Sequence, residues 1–123
     1  MIQTYTRLTV ADNSGAKIIR LINIPGSGRR KYAHVGDIVV CNVREAAPNS
    51  PVRKGEVVRA VVIRQAQGRR SPDGTYIKFD GNAAVLIGEG KDPVGTRIFP
   101  SCRCIRCRCF RNGPRTYTFT PVL

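Results

Sequence analysis

Four thiols in eight residues, Cys102, Cys104, Cys107 and Cys109, are the densest group of reactive side chains in this chain of 123 residues. Four thiolates close a tetrahedral zinc site, and Cys104 and Cys107 keep the two-residue gap that zinc knuckles use. Zinc ligands normally arrive as two pairs from separated turns. Here they share one short run with Arg103, Arg106 and Arg108, whose charge helps deprotonate the thiols and keeps a metal site chemically open. Free cysteines in a basic arm are the simpler reading, and no metal or other cofactor is expected.

The other candidates for chemistry are isolated. His34 is the only histidine, so it has no second imidazole to act with, and a satisfied or nucleic-acid-facing ring is expected rather than a general base. Cys41 alternates within an apolar run and reads as a small core side chain. Asp12, Asp37, Asp73 and Asp80 each adjoin a turn residue, which explains them without catalysis. With no phosphate-binding glycine loop, nucleophile elbow or paired-acid motif, no enzymatic activity is expected.

Charge is the stronger signal. Lys and Arg number 21 against 8 acidic residues, a formal charge of +13, and a surplus of that size in a small domain calls for a polyanionic partner. Nucleic acid is favoured over membrane, because no apolar run approaches the roughly 20 residues of a spanning helix. The amino terminus does not read as a secretory signal or an amphipathic presequence, and the five cysteines are an odd number. The expected location is a bacterial cytoplasm, or an organelle whose own genome encodes the chain.

The elements that must hold these cations are short strands. Val57 to Ile63 is a β-branched run broken only by Arg59, with Arg53 and Lys54 at its entry and Arg69 and Arg70 at its exit. One core strand is thus expected to carry positive loops at both ends. Before it, Ile2 to Val10 and Ala16 to Ile24 flank the bend at Ala11 to Gly15 and are expected to pair. Pro25 to Gly28 breaks the pattern and Arg29, Arg30 and Lys31 follow, a projecting loop or ribbon suited to phosphate contact. Ile38 to Val43 is the next strand, and Arg44 to Pro51 reads as a proline-bounded loop. Tyr76 to Phe79 and Ala83 to Ile87 complete the set, after the turn Ser71 to Gly74. Five or six short strands with no amphipathic helix up to Ile98 predict a mainly β fold, a small closed barrel.

From Pro93 to Leu123 there is no acidic residue, while Arg97, Arg103, Arg106, Arg108, Arg111 and Arg115 are all present. Such a segment repels itself, and it is expected to order on an anionic surface or to stay mobile. Four Tyr and four Phe with no Trp are too few for a stacking platform, and Tyr76 and Phe79 fall on opposite strand faces. Recognition of folded RNA by shape and backbone is favoured.

Several ordered matches make the chain similar to the L-fourteen family of large-subunit ribosomal proteins. They include Val10 to Ala16, Tyr32-Ala33 with Val35 to Ile38, Lys54-Gly55 leading into Val57 to Val62, Arg69-Arg70, and Asp73 to Ile77. Phe79-Asp80, Asn82 to Ile87 and Gly95 to Phe99 continue the resemblance, which thus covers residues 1–99. It implies a five-stranded barrel with a protruding ribbon and a small carboxy-terminal helical part, bound directly to large-subunit ribosomal RNA. It also implies a place at the subunit interface, with bridges to small-subunit RNA, ribosomal protein L-nineteen as neighbour, and a docking role for a ribosome silencing factor. Carried over, Arg29, Arg30, Lys31, Arg44, Arg53, Lys54, Arg69, Arg70 and Arg97 are the candidate RNA contacts. From Pro100 the Cys/Arg segment replaces the family's Gly-Pro-Val and helix, and only Pro121 to Leu123 is similar to the family's ending. Residues 100–123 are expected as a short helical or irregular basic extension of the same domain.

Three functions compete on these grounds. The first is a structural ribosomal protein that stabilises folded RNA by neutralising phosphates. The second is a free RNA-binding regulator or chaperone, which would be found off ribosomes. The third, a zinc-dependent enzyme or finger, requires bound metal.

Overall fold

The structure is a computed structural model that describes residues 2–26, 28–70, 74, 76–79, 81–90 and 92–97. The cysteine cluster, the turn residues 71–73 and the whole of 98–123 lie outside the described residues. In chain order the strands are β1 (Arg7–Val10), β2 (Ala16–Asn23), β3 (Ile38–Ala46), β4 (Val57–Arg64), β5 (Arg69–Arg70), β6 (Tyr76–Ile77) and β7 (Ala83–Ile87). Five of them close a barrel in the order β1-β2-β3-β4-β7, and β5 with β6 forms a separate two-stranded ribbon. The expected mainly β fold with a five-stranded closed barrel is the fold observed; the ribbon is β5 with β6, and residues 28–31, where a projecting loop or ribbon is expected, form a loop.

Period-two alternation makes the barrel core. Leu8, Ile19, Leu21, Val39, Cys41, Val43, Ala60, Val62, Ala84 and Leu86 point inward and are buried in one cluster. On the second half of β4 and on β7 the outward residues are buried too: Ile63, Ala83 and Val85 join Ala11 in a second cluster on the opposite face. Hence all five residues of β7 are buried, and its sequence Ala-Ala-Val-Leu-Ile shows no polar alternation. Register shifts between β2 and β3, at Ala16/Ile18, Ile18/Ile19 and Leu21/Asn23, supply the extra twist that a small barrel requires.

Closure depends on a short parallel seam. Only Thr9 with Ala83 and Val10 with Ala84 are in register between β1 and β7. The Thr9 amide donates to the Asn82 carbonyl at 3.1 Å and the Ala11 amide to the Ala84 carbonyl at 3.0 Å. One step further the main chain of β1 has turned away, and the buried Asp12 carboxylate takes its place, accepting the Leu86 amide at 3.0 Å through Oδ2. Its Oδ1 accepts the Ser14 amide at 3.0 Å and the Ser14 hydroxyl. A side chain therefore extends the ladder while fixing the turn into β2.

Three sequence expectations need correction. The strand expected over Ile2 to Val10 begins only at Arg7, because Gln3 to Thr6 form a turn in which the Thr6 amide donates to the Gln3 carbonyl at 3.2 Å. Tyr5 takes the third turn position at φ 68°, a type II geometry that glycine adopts freely and tyrosine at a cost of about 1–2 kcal/mol. The turn frees Ile2 to reach Ala33 across the barrel mouth, where both are fully buried. Second, Arg44 is not in a loop: β3 runs on to Ala46, since Glu45 and Ala46 still find partners in β2, and the break comes at Pro48 and Asn49. Third, the Tyr76 to Phe79 segment pairs only over Tyr76–Ile77, matched to Arg70 and Arg69.

Candidate nucleic-acid interface

The strand directions sort the cations onto two ends of the barrel. β2 leaves, β3 enters, β4 leaves and β7 enters at one end, which carries the loop with Arg29, Arg30 and Lys31 and the connection containing Arg69 and Arg70. The β1–β2 turn, the β3–β4 loop and the segment after β7 share the other, with Arg44, Arg53, Lys54 and Arg97. The nine candidate residues thus form two groups rather than one patch. β4, eight residues long, spans about 23 Å between them at roughly 3.3 Å per residue.

At the first end the loop is braced from within. Asp37 Oδ2 accepts a guanidinium N–H of Arg30 at 2.7 Å and the His34 amide at 2.7 Å, while the Gly36 amide donates to the Val62 carbonyl. Arg29, Arg30 and Lys31 are exposed, so a fixed loop base holds cations in solvent. On the ribbon, the Tyr76 ring lies against Gly68 so closely that any Cβ there would overlap it. That contact explains the glycine before Arg69 and Arg70.

The second end is tied together by backbone bonds. The Ala47 amide donates to the Gly15 carbonyl at 2.7 Å, joining the β1–β2 turn to the β3–β4 loop. Gly15, at φ 95°, packs against Ser50 with no room for a Cβ. Arg53 donates its amide to Glu56 Oε2 at 3.1 Å, and the Gly55 amide donates to the Val43 carbonyl at 2.8 Å, so the Arg53 to Glu56 turn sits on β3. Arg97 is held by its backbone, its amide donating to Asn13 Oδ1 at 3.0 Å and its carbonyl accepting the Asn13 amide at 3.2 Å.

Sequence reasoning did not nominate the cations on the barrel wall. Arg7 and Arg20 stand directly opposite each other on β1 and β2, a like-charged pair that destabilises a bare sheet. Arg20 is half-buried and its Nε has no hydrogen-bond partner. Lys17, Arg59 and Lys78 are exposed as well. For Arg7 and Arg59 the available signal was a charged residue set next to an apolar one within a strand, Leu8 and Ala60 respectively. Among the described residues, Arg7, Lys17, Arg20, Arg29, Lys31, Arg44, Arg53, Lys54 and Arg59 have no carboxylate partner, and the ion pair is Arg30 to Asp37.

Of the thiol candidates only Cys41 lies among the described residues. Burial pushes the Cys41 thiol from 9.0 up to about 12, so it stays protonated and unreactive in the core. Among the described residues no three His, Cys, Asp or Glu gather where they could hold a metal. None of the described residues forms a helix long and apolar enough to cross a membrane.

A closed barrel with braced cationic loops at both ends defines a basic β-barrel protein. A family model described as ribosomal protein L14p/L23e matches residues 1–108. The chain belongs to that family, and it is a structural constituent of the ribosome. The match runs past Phe99 and takes in Cys102, Cys104 and Cys107, leaving Cys109 beyond it.

Proposed function

We propose that this ribosomal protein is a constituent of the large subunit, that it binds large-subunit rRNA directly, and that it contributes to bridges with small-subunit rRNA during translation. The observation that carries the reading is the set of exposed cations held at both ends of a rigid barrel, of which Arg29, Lys31, Arg44, Arg53 and Lys54 have no carboxylate partner among the described residues. A chain of charge +13 that leaves Arg29, Lys31, Arg44, Arg53 and Lys54 without carboxylate partners among the described residues takes counter-charge from outside, and phosphates of folded RNA supply it. Because about 23 Å separates the two cationic ends, they meet separate RNA segments rather than one groove.

Family resemblance extends the reading to protein neighbours. On that basis the chain lies beside ribosomal protein L-nineteen and offers a docking point for a ribosome silencing factor, in a bacterial cytoplasm or an organelle with its own ribosomes. Cross-linking of intact subunits tests both contacts.

Sedimentation of the tagged chain through sucrose gradients at working salt tests the core of the proposal. Co-migration with large subunits is expected, together with an affinity for large-subunit rRNA that falls steeply as salt rises. A folded chain that stays at the top of the gradient would instead identify a free RNA-binding regulator or chaperone.

A further inference from the structure

A cleft of about 320 Å³ opens between the amino-terminal turn and the loop that follows β2. Gln3 and Thr4 line it from the turn, Arg30, Lys31 and Tyr32 from the loop, and Asn23 and Ile24 complete the lining. The turn and the loop are joined by the Ile2 and Ala33 bridge, with amide to carbonyl bonds of 3.2 and 2.7 Å and both side chains fully buried. The spacing of the walls is therefore set by the fold.

The chemistry of the walls falls into three kinds. Arg30, fixed by Asp37, and Lys31 are cations. Tyr32 is an aromatic ring left 40% exposed. Gln3 and Asn23 are amides: Asn23 Oδ1 accepts the Ile24 amide at 2.8 Å, and neither the Asn23 NH₂ nor the Gln3 side chain has a partner among the described residues. An RNA duplex backbone would use the cations but present nothing to an aromatic ring and two amides inside a cleft. A single unpaired nucleotide uses all three, with its phosphate on the cations, its base face on the ring and its base edge on the amides. The volume fits too, lying at the lower end of the roughly 300–1,000 Å³ of small-molecule sites.

We propose that this cleft is a subsite for one unpaired nucleotide of the bound RNA, stacked on Tyr32 with its phosphate held by Arg30 and Lys31. The proposal rests on the RNA-binding function above and adds a base-reading contact to an interface otherwise made of phosphate contacts.

Short-wave ultraviolet cross-linking of large subunits containing the full chain, followed by mass spectrometry, locates the contacted nucleotides. A mononucleotide adduct on Tyr32 is expected. In parallel, Tyr32→Ala lowers affinity for large-subunit rRNA about tenfold, within the range of base–aromatic stacking, whereas Tyr32→Phe stays within about twofold. Gln3→Ala, at an exposed residue whose loss spares the fold, weakens binding several-fold and guards against misfolding of the tyrosine variant. Lys31→Ala reduces the slope of log affinity against log salt by about one, and Tyr32→Ala leaves it unchanged. Adducts at the other cationic loops with none in the cleft, or wild-type binding by Tyr32→Ala and Gln3→Ala, would overturn the subsite and leave RNA binding standing. A Tyr32 cross-link to another ribosomal protein would also overturn it. Absence of adducts anywhere, with failure to co-sediment, would remove both readings.

Discussion

Replacing Asp12 by Asn isolates the carboxylate's part in closing the barrel. The substitution preserves shape but leaves one acceptor oxygen where the fold uses two, Oδ1 facing Ser14 and Oδ2 facing the Leu86 amide. If the amide oxygen stays towards Ser14, its NH₂ meets the buried Leu86 N–H, donor against donor. If it flips, the Ser14 amide is orphaned instead, although the Ser14 hydroxyl can rotate to accept. One buried N–H loses a bond to a charged acceptor in either case, a cost of about 2–3 kcal/mol, and Asp12→Ala, which orphans both, costs about 4 kcal/mol. For a domain of this size about 2–3 kcal/mol corresponds to a melting shift of roughly 8–12 °C. Urea and thermal unfolding of the full chain followed by circular dichroism measure the loss, and hydrogen exchange shows whether the Leu86 amide loses protection. If Asp12→Asn melted within about 2 °C of wild type with Leu86 still protected, the carboxylate would not be closing the seam.

Other perturbations probe other parts of the same design. Gly15→Ala destabilises by more than about 2 kcal/mol, because its Cβ overlaps Ser50 in addition to the strain of φ 95°. Gly55→Ala, at φ 90° with open space around it, costs only about 1 kcal/mol, and urea midpoints separate the two. With the Cys41 thiol raised from 9.0 to about 12, the folded state keeps a proton that the unfolded state gives up. Stability is therefore intact below about pH 9 and is lost as pH rises towards 12; Cys41→Ala loses less over that window, and native alkylation spares Cys41. Salt acts in opposite directions on the free and bound chain: it raises the melting temperature of the isolated protein by screening pairs such as Arg7 and Arg20, and it weakens rRNA binding. Lys54→Ala lowers the salt slope of binding by about one. Elemental analysis of the purified protein finds no stoichiometric zinc, and Cys102, Cys104, Cys107 and Cys109 alkylate freely; a metal that protected all four would reverse the reading of that cluster.

The strands were legible wherever alternation or a β-branched run is strong, as in β3, β4 and β7, because side-chain period and burial there are one fact seen twice. What escaped the sequence was long-range. Asp12 reads as a turn residue, which it is through Oδ1, but the partner of its other oxygen lies 74 positions away. Ile2 reads as the start of a strand and is instead a plug paired with Ala33, a contact that only the turn at Tyr5 permits. Arg44 was assigned to a loop because Pro48 and Pro51 follow, yet strand pairing with β2 continues until the proline itself intervenes. Clustered loop cations stood out as adjacent letters. Wall cations such as Arg7 and Arg20, which adjoin only after two strands pair, did not.

The use of the carboxylates explains why so basic a chain folds into a scaffold and not into a self-neutralised globule. Among the described residues, Asp12 accepts the Ser14 and Leu86 amides, Asp37 accepts the His34 amide and Glu56 accepts the Arg53 amide. Each is committed to backbone donors at the base of a loop, and only Asp37 also holds a cation, Arg30, in a fixed pose. These three carboxylates thus shape loops, while most of the positive charges among the described residues remain available at the surface. Exchanging those roles, with carboxylates paired to lysines and arginines, would lower the chain's self-repulsion but leave buried amides unsatisfied and loops unbraced. A fold that accepts the repulsion keeps both its geometry and its demand for an external polyanion, and the closed barrel holds the two cationic ends at a fixed separation when that polyanion arrives.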